Sequence, residues 1–154
     1  MGYLKGESQL TNKTIEINPA DYTDPIQAKE FVENTGVARL AIAVGNIHGI
    51  NLAEPRLDFE RIKKIRKAIS QDTALVLHAG FGIADADIKQ AIASGIANIH
   101  ISTELRVAFR KGLEDSLKNN PDEYSPYKLD KKPVEDMKSI IKAKIRLFGA
   151  ENRV

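Results

Sequence analysis

Three histidines are the residues of this 154-residue chain with the clearest chemical capability. A neutral imidazole is a common metal ligand, and its charge changes near neutral pH. His48 stands in Gly45-Asn46-Ile47-His48-Gly49, His78 opens His78-Ala79-Gly80-Phe81-Gly82, and His100 lies in Asn98-Ile99-His100-Ile101-Ser102-Thr103-Glu104. Each comes within or just after a short apolar run, at residues 39–44, 74–78 and 97–102. Parallel strands lie about 4.8 Å apart, so imidazoles at the ends of neighbouring strands can meet at one metal ion. Alternation along the third run sets Asn98, His100 and Ser102 on one side and Ile99 and Ile101 on the other. A lone histidine of this kind is more often a hydrogen-bonded structural residue. The pair His48 and His78, each beside a glycine-bearing turn at the same point of its unit, favours a metal. Gly80 and Gly82 allow a sharp turn, and Ser102-Thr103 opens a helix. Amides exposed at such helix starts, backed by the helix dipole, can cradle a phosphate, although many glycine-containing turns of this type bind nothing.

The elements that must hold these residues alternate. The first two apolar runs are almost continuously apolar, as in parallel strands covered on both faces. Asp24-Pro25-Ile26-Gln27 places an N-cap acid, a proline at the first helical position and a capping-box glutamine, with Gly36 as terminator. A second helix begins near Asp58 and carries Phe59, Ile62, Ile65 and Ile69 at helical spacing. A third spans about 85–94, with Ile88, Ala91 and Ile92 inward and Gly95 beyond its end. A fourth starts at Thr103, with Leu105, Phe109, Leu113 and Leu117 four apart. Residues 119–132 are polar, hold Pro121 and Pro126, and read as a connecting loop. A final helix over 133–148 is expected to bury Val134, Met137, Ile141 and Ile145.

The order α-β-α-β-α-β-α-α predicts one α/β domain over 1–154 with a parallel sheet. Two architectures fit: a small open doubly wound sheet, or part of a (β/α)8 barrel, which in full needs about 250 residues. With 23 Lys and Arg against 21 Asp and Glu, the formal charge is only +2. That balance gives no reason to expect a nucleic-acid or membrane partner. The absence of cysteine excludes a disulfide framework, a thiolate nucleophile and a Cys-based zinc finger. The longest apolar run, 40–44, is too short to span a bilayer, and residues 1–7 carry no apolar leader core. The cytoplasm is the expected compartment.

At these residues the sequence resembles the C-terminal part of class II, zinc-dependent ketose-bisphosphate aldolases, the fructose- and tagatose-bisphosphate aldolase family. The matching text is Tyr22-Thr23-Asp24-Pro25, Leu40-Ala41-Ile42-Ala43-Val44-Gly45-Asn46-Ile47-His48-Gly49, and Glu54-Pro55-Arg56-Leu57-Asp58-Phe59-Glu60-Arg61. It continues through Leu75-Val76-Leu77-His78, Ile101-Ser102-Thr103-Glu104-Leu105-Arg106 and Ile145-Arg146-Leu147-Phe148-Gly149. The resemblance implies part of a TIM barrel, with about three strands that are the counterparts of the barrel's last ones. It implies reversible cleavage of a ketose bisphosphate to dihydroxyacetone phosphate and an aldehyde, in which Zn2+ polarises the ketone and stabilises an enediolate. By motif, His48 and His78 match two zinc ligands. Gly49, the Ala79-Gly80-Phe81 loop and the segment His100-Ile101-Ser102-Thr103 match positions that hold dihydroxyacetone phosphate.

The departures from the family pattern bear on activity. The family's catalytic aspartate, adjacent to a third zinc histidine, belongs to an earlier strand, and this sequence contains no Asp-His pair. Residues 2–7 resemble text just after the family's fifth strand, where Glu7 loosely aligns with an acid of a mobile loop. Phe81 replaces a phosphate-binding hydroxyl, and His100 replaces the asparagine that contacts the enediolate. Loss of a general acid/base removes a contribution of roughly 10²–10⁴ in rate. Three outcomes stay open: an aldolase portion that needs a complementing barrel half, a non-catalytic metal- or phosphate-binding half-barrel that self-associates, or a decayed remnant. His100, on the strand after His78, is also a candidate third zinc ligand.

Overall fold

A computed structural model of the chain describes residues 2–4, 17–48 and 56–152. The chain divides into two compact units, Met1–Ile101 and Ser102–Val154.

The first unit opens with a 3-10 turn at Pro19–Asp21 and continues as α1 (Pro25–Thr35), β1 (Arg39–Ala41), α2 (Phe59–Ala68), β2 (Ala74–Leu77), α3 (Asp85–Ala93) and β3 (Ile96–Ile99). Local chemistry explains the helix ends. The Asp24 carboxylate accepts from the Ile26 and Gln27 amides at 3.0 Å each, while Gly36 ends α1 in the left-handed region at φ 65. Asp58 caps α2 by accepting from the Arg61 amide at 2.8 Å. The three strands lie side by side in chain order and are all parallel. Leu40 pairs with Leu75, and Leu77 with Ile99, across a register irregularity at Leu75/Val76. Leu75, Val76 and Leu77 are consecutive and all buried, so β2 is covered on both faces. Ile62 and Ile65 of α2 and Ile88 and Ala91 of α3 are buried as well, whereas Ile92 and Phe59 are only half-buried.

The strands are shorter than the apolar runs suggest, because other partners take the backbone groups. Ile42 still donates to the Val76 carbonyl at 3.2 Å, but the Ala43 amide goes to the Thr23 hydroxyl and the Val44 amide to the Asn46 side chain, both at 2.9 Å. β3 likewise stops at Ile99, so strand alternation does not extend to Ser102.

The second unit consists of α4 (Thr103–Asn119), α5 (Pro126–Leu129) and α6 (Lys131–Leu147). Two expectations are corrected here. Part of 119–132 is helical: Pro126 starts the four-residue α5, and α6 begins two residues before Pro133. The large apolar residues are also not the buried ones. Leu117 is 50% exposed and Val134, Ile141 and Ile145 are 40–42% exposed. Leu105, Phe109, Leu113 and Met137 are half-buried. Gly112, Ser116 and Pro133 are the buried residues of α4 and α6, and Lys144 pairs with Glu104 at 3.0 Å. Among the described residues no helix is long and apolar enough to cross a membrane.

Candidate metal centre

The C-terminal ends of the three strands carry the histidines. His78 directly follows β2 and His100 directly follows β3. His48 comes six residues after Ile42, at the end of a segment held from three sides. Thr23 grips it through a reciprocal pair, its amide donating to the Ala43 carbonyl at 2.8 Å while its hydroxyl accepts from the Ala43 amide. Asp58 donates its amide to the Val44 carbonyl at 2.8 Å. Asn46, 3% exposed, accepts from Val44 and donates its side-chain amide to the carbonyls of His78, at 2.6 Å, and Ile42, at 3.3 Å. One buried amide therefore ties the approach to His48 to the backbone of His78.

The three rings converge. His48 and His78 stand with centroids 4.7 Å apart at 75°, and His78 and His100 with centroids 5.1 Å apart at 89°. His78 is the central ring, and its Nδ1 lies 2.9 Å from Nδ1 of His100. His48 and His78 are half-buried, while His100 is exposed. Burial, and then the like charge that His48 and His100 would carry, holds the His78 pKa below the usual imidazole value. The neutral form so favoured is the one that presents a lone pair to a metal, and a divalent cation among imidazoles suits zinc. The donor set fits zinc for the pair His48 and His78. Among the described residues, however, no group of three or more His, Cys, Asp or Glu side chains is placed to hold an ion.

The turn after His78 is backbone-strained. Ala79 sits in the left-handed region at φ 59, uncommon for a residue with a Cβ. Gly80 is buried against β3, where a Cβ would lie 3.1 Å from Ile101 and 3.2 Å from Ile99. Its amide, expected to face a phosphate, is 3.4 Å from the His100 carbonyl, to which it donates. Phe81 is half-buried. Ser102 and Thr103 open α4 in the second unit, where the Ser102 hydroxyl accepts from Arg106 Nε at 3.3 Å. Glu7 and Gly49 lie outside the described residues.

The sequence does not single out Asn46 or Thr23 as positioning residues. The available signal is a polar side chain inside an otherwise apolar stretch, which must find partners once buried. Asn46→Asp keeps the shape but replaces the NH2 group, with its two N–H donors, by one oxygen facing both carbonyls. It is expected to cost about 2 kcal/mol of stability, read as a lowered urea midpoint, whereas an unchanged midpoint would remove Asn46 from this role.

The model for fructose-bisphosphate aldolase class-II matches residues 1–153. The chain is similar to a sulfofructosephosphate aldolase of Alkalicoccus urumqiensis, with 41% identity over 140 residues, covering 91% of this chain and 48% of that protein. It is also similar to the uncharacterized protein YdjI of Escherichia coli K12, with 46% identity over 133 residues, covering 86% of this chain and 45% of that one. The crystal structure of the YdjI aldolase superposes with a TM-score of 0.75 at 45% identity, over 87% of this chain and 48% of that chain. A structure titled putative fructose-1,6-biphosphate aldolase from Coccidioides immitis shares the fold at TM-score 0.76 and 22% identity, over 86% and 45% of the two chains. The chain spans about half the length of the curated relatives it matches, and its three parallel strands with flanking helices form part of the aldolase barrel. The histidine-bearing sheet edge and a match over nearly the whole sequence place this chain in the class-II fructose-bisphosphate aldolase family.

Proposed function

We propose that this chain is the zinc-carrying part of a cytoplasmic class II aldolase that reversibly cleaves a ketose bisphosphate to dihydroxyacetone phosphate and an aldehyde. The observation that carries this reading is the approach of the His48 and His78 rings to 4.7 Å at the C-terminal edge of a parallel sheet, where ligands of such folds bind. Zinc, when bound, supplies Lewis acidity at the ketone oxygen. In this reading His48 and His78 hold the ion, Gly49, the Ala79-Gly80-Phe81 loop and the segment His100-Ile101-Ser102-Thr103 match by motif the family positions that hold dihydroxyacetone phosphate, and Glu7 is a candidate acid. Cleavage requires a general base from a complementing barrel half, because no Asp-His pair occurs in this sequence.

The test is metal analysis of the purified full chain with an aldol-cleavage assay beside it. One zinc per chain, lost on combined His48→Ala and His78→Ala substitution, is the expected result, with cleavage only after addition of the complementing half of a family member. Zinc that survives the double substitution, or none in the wild-type chain, overturns the reading. A non-catalytic half-barrel is the second reading, favoured by Phe81 in place of a hydroxyl. It predicts retained zinc, self-association on gel filtration and no cleavage with any complementing half.

A further inference from the structure

We propose that Asn46 is a positioning residue for the turn after His78: through the His78 carbonyl it holds Ala79 in its left-handed conformation. The inference rests on the proposed function only for what the turn would bind, and the conformation itself belongs to the unliganded chain.

The orientation of the Asn46 amide is settled by its partners. The Val44 N–H can only donate, so the atom it meets at 2.9 Å is Oδ1. The carbonyls of Ile42 and His78 can only accept, so the atom that faces them, at 3.3 and 2.6 Å, is Nδ2. Buried at 3% exposure, the amide has these three backbone groups for partners in place of bulk water.

Ala79 lies between two peptide groups that are both held. The His78 carbonyl belongs to the peptide before it and accepts from Asn46. The Gly80 amide belongs to the peptide after it and donates to the His100 carbonyl at 3.4 Å. The φ and ψ of Ala79 are the rotations that relate these two planes, so the two bonds together set them. The second acceptor is itself anchored, since the His100 amide donates to the Leu77 carbonyl at 3.0 Å. Gly80 is seated against β3, with Ile101 and Ile99 at 3.1 and 3.2 Å from where a Cβ would lie. An alanine is disfavoured in the left-handed region by a factor on the order of ten, yet Ala79 has φ 59. That bias is offset from outside the residue, and the bond from Asn46, at 2.6 Å against 3.4 Å for the other, is the stronger of the two holds. Asn46 belongs to the segment that leads to His48, so a residue of the β1 exit sets the backbone shape of the β2 exit.

The experiment uses the full chain labelled with 15N and 13C. The one-bond Cα–Hα and three-bond HN–Hα couplings of Ala79 report the sign of its φ. Hydrogen exchange is read at the Gly80 amide relative to that of Ala74, which bonds the Ala38 carbonyl at the opposite end of β2. In the unmodified chain Ala79 is expected at positive φ, with the Gly80 amide protected. Asn46→Ala is expected to move Ala79 to negative φ and to speed Gly80 exchange about tenfold relative to Ala74. Adding Ala79→Gly to that variant is expected to bring Gly80 back to within about threefold of the unmodified chain, because glycine carries no bias against the left-handed region. Asn46→Ser, which keeps a polar atom but is one bond too short to reach the His78 carbonyl, carries the same expectations if Asn46→Ala does not fold. A negative φ at Ala79 in the unmodified chain overturns the proposal. So does equal acceleration of Gly80 and Ala74, a positive φ kept in a folded Asn46 variant, or no recovery of Gly80 on adding Ala79→Gly. The expected couplings and recovery, found in a chain that binds no zinc, reject the functional reading and uphold the role of Asn46.

Discussion

Gly45→Ala is expected to lower the stability of the chain by about 3 kcal/mol or more, combining backbone strain with overpacking. Gly45 has φ 107, outside the regions open to residues with a side chain. The space a Cβ would take is occupied by the carbonyl oxygen of Arg56, a backbone atom that cannot swing aside, and the Tyr22 hydroxyl closes another side at 3.1 Å. Domains of this size are stable by only about 5–15 kcal/mol, so one methyl group removes a large share. Gly36→Ala is the matched control. Gly36 also has positive φ, at 65, but nothing lies within 4 Å of its missing Cβ, so its cost should be about 1 kcal/mol. The difference between the two urea midpoints isolates the clash from the φ penalty. Because Gly45 stands between Val44 and Asn46, the same substitution should displace His48 and weaken the zinc binding proposed for it, under conditions where the chain is still folded. A Gly45→Ala midpoint equal to that of Gly36→Ala would mean that the loop relaxes freely, and the rigid placement of His48 would fail with it.

The elements of the first unit were legible because their signals are local. Asp24 before Pro25, Gly36 after Thr35 and Asp58 before Phe59 mark helix ends through caps that need only a few neighbouring residues. Strand ends were less legible, since apolarity reports burial and not pairing. Ile42, Ala43 and Val44 are all buried, yet while Ile42 still donates to Val76, the side chains of Thr23 and Asn46 take the amides of Ala43 and Val44 out of the ladder. Distant partners of that kind cannot be read from spacing.

Much of the candidate site was legible for a topological reason. In a parallel sheet, residues that follow successive strands share one edge, and His48, His78 and His100 do meet there. The direct His78–His100 contact was not legible, because residue spacing places two side chains at one sheet edge without fixing how their rings meet. The sequence offered His100 as a metal ligand, and the structure places its Nδ1 2.9 Å from that of His78.

Gly112→Leu should disrupt the second unit, although it replaces the poorest non-proline helix former with one of the best. Helix propensity alone predicts a gain of nearly 1 kcal/mol. Packing predicts the reverse. Gly112 is buried midway along α4, and a Cβ there would lie 2.6 Å from Pro133 Cα and 2.7 Å from an Asp136 carboxylate oxygen. Pro133 presents backbone, which cannot turn away, and Asp136 is held by Lys132 at 2.6 Å through both oxygens. The absent side chain at Gly112 is therefore what lets α4 and α6 approach closely, although the apolar stripe of α4 is Leu105, Phe109, Leu113 and Leu117. Forcing the helices apart should cost about 3 kcal/mol, at the upper end of overpacking effects, while Gly112→Ala should cost about 1 kcal/mol after its propensity gain. Hydrogen exchange gives the local readout: amides of α4 and α6 should lose protection while those of β1, β2 and β3 keep theirs. A Gly112→Ala chain more stable than wild type would show that propensity outweighs the close crossing, and that the half-buried leucines carry the helix pair after all.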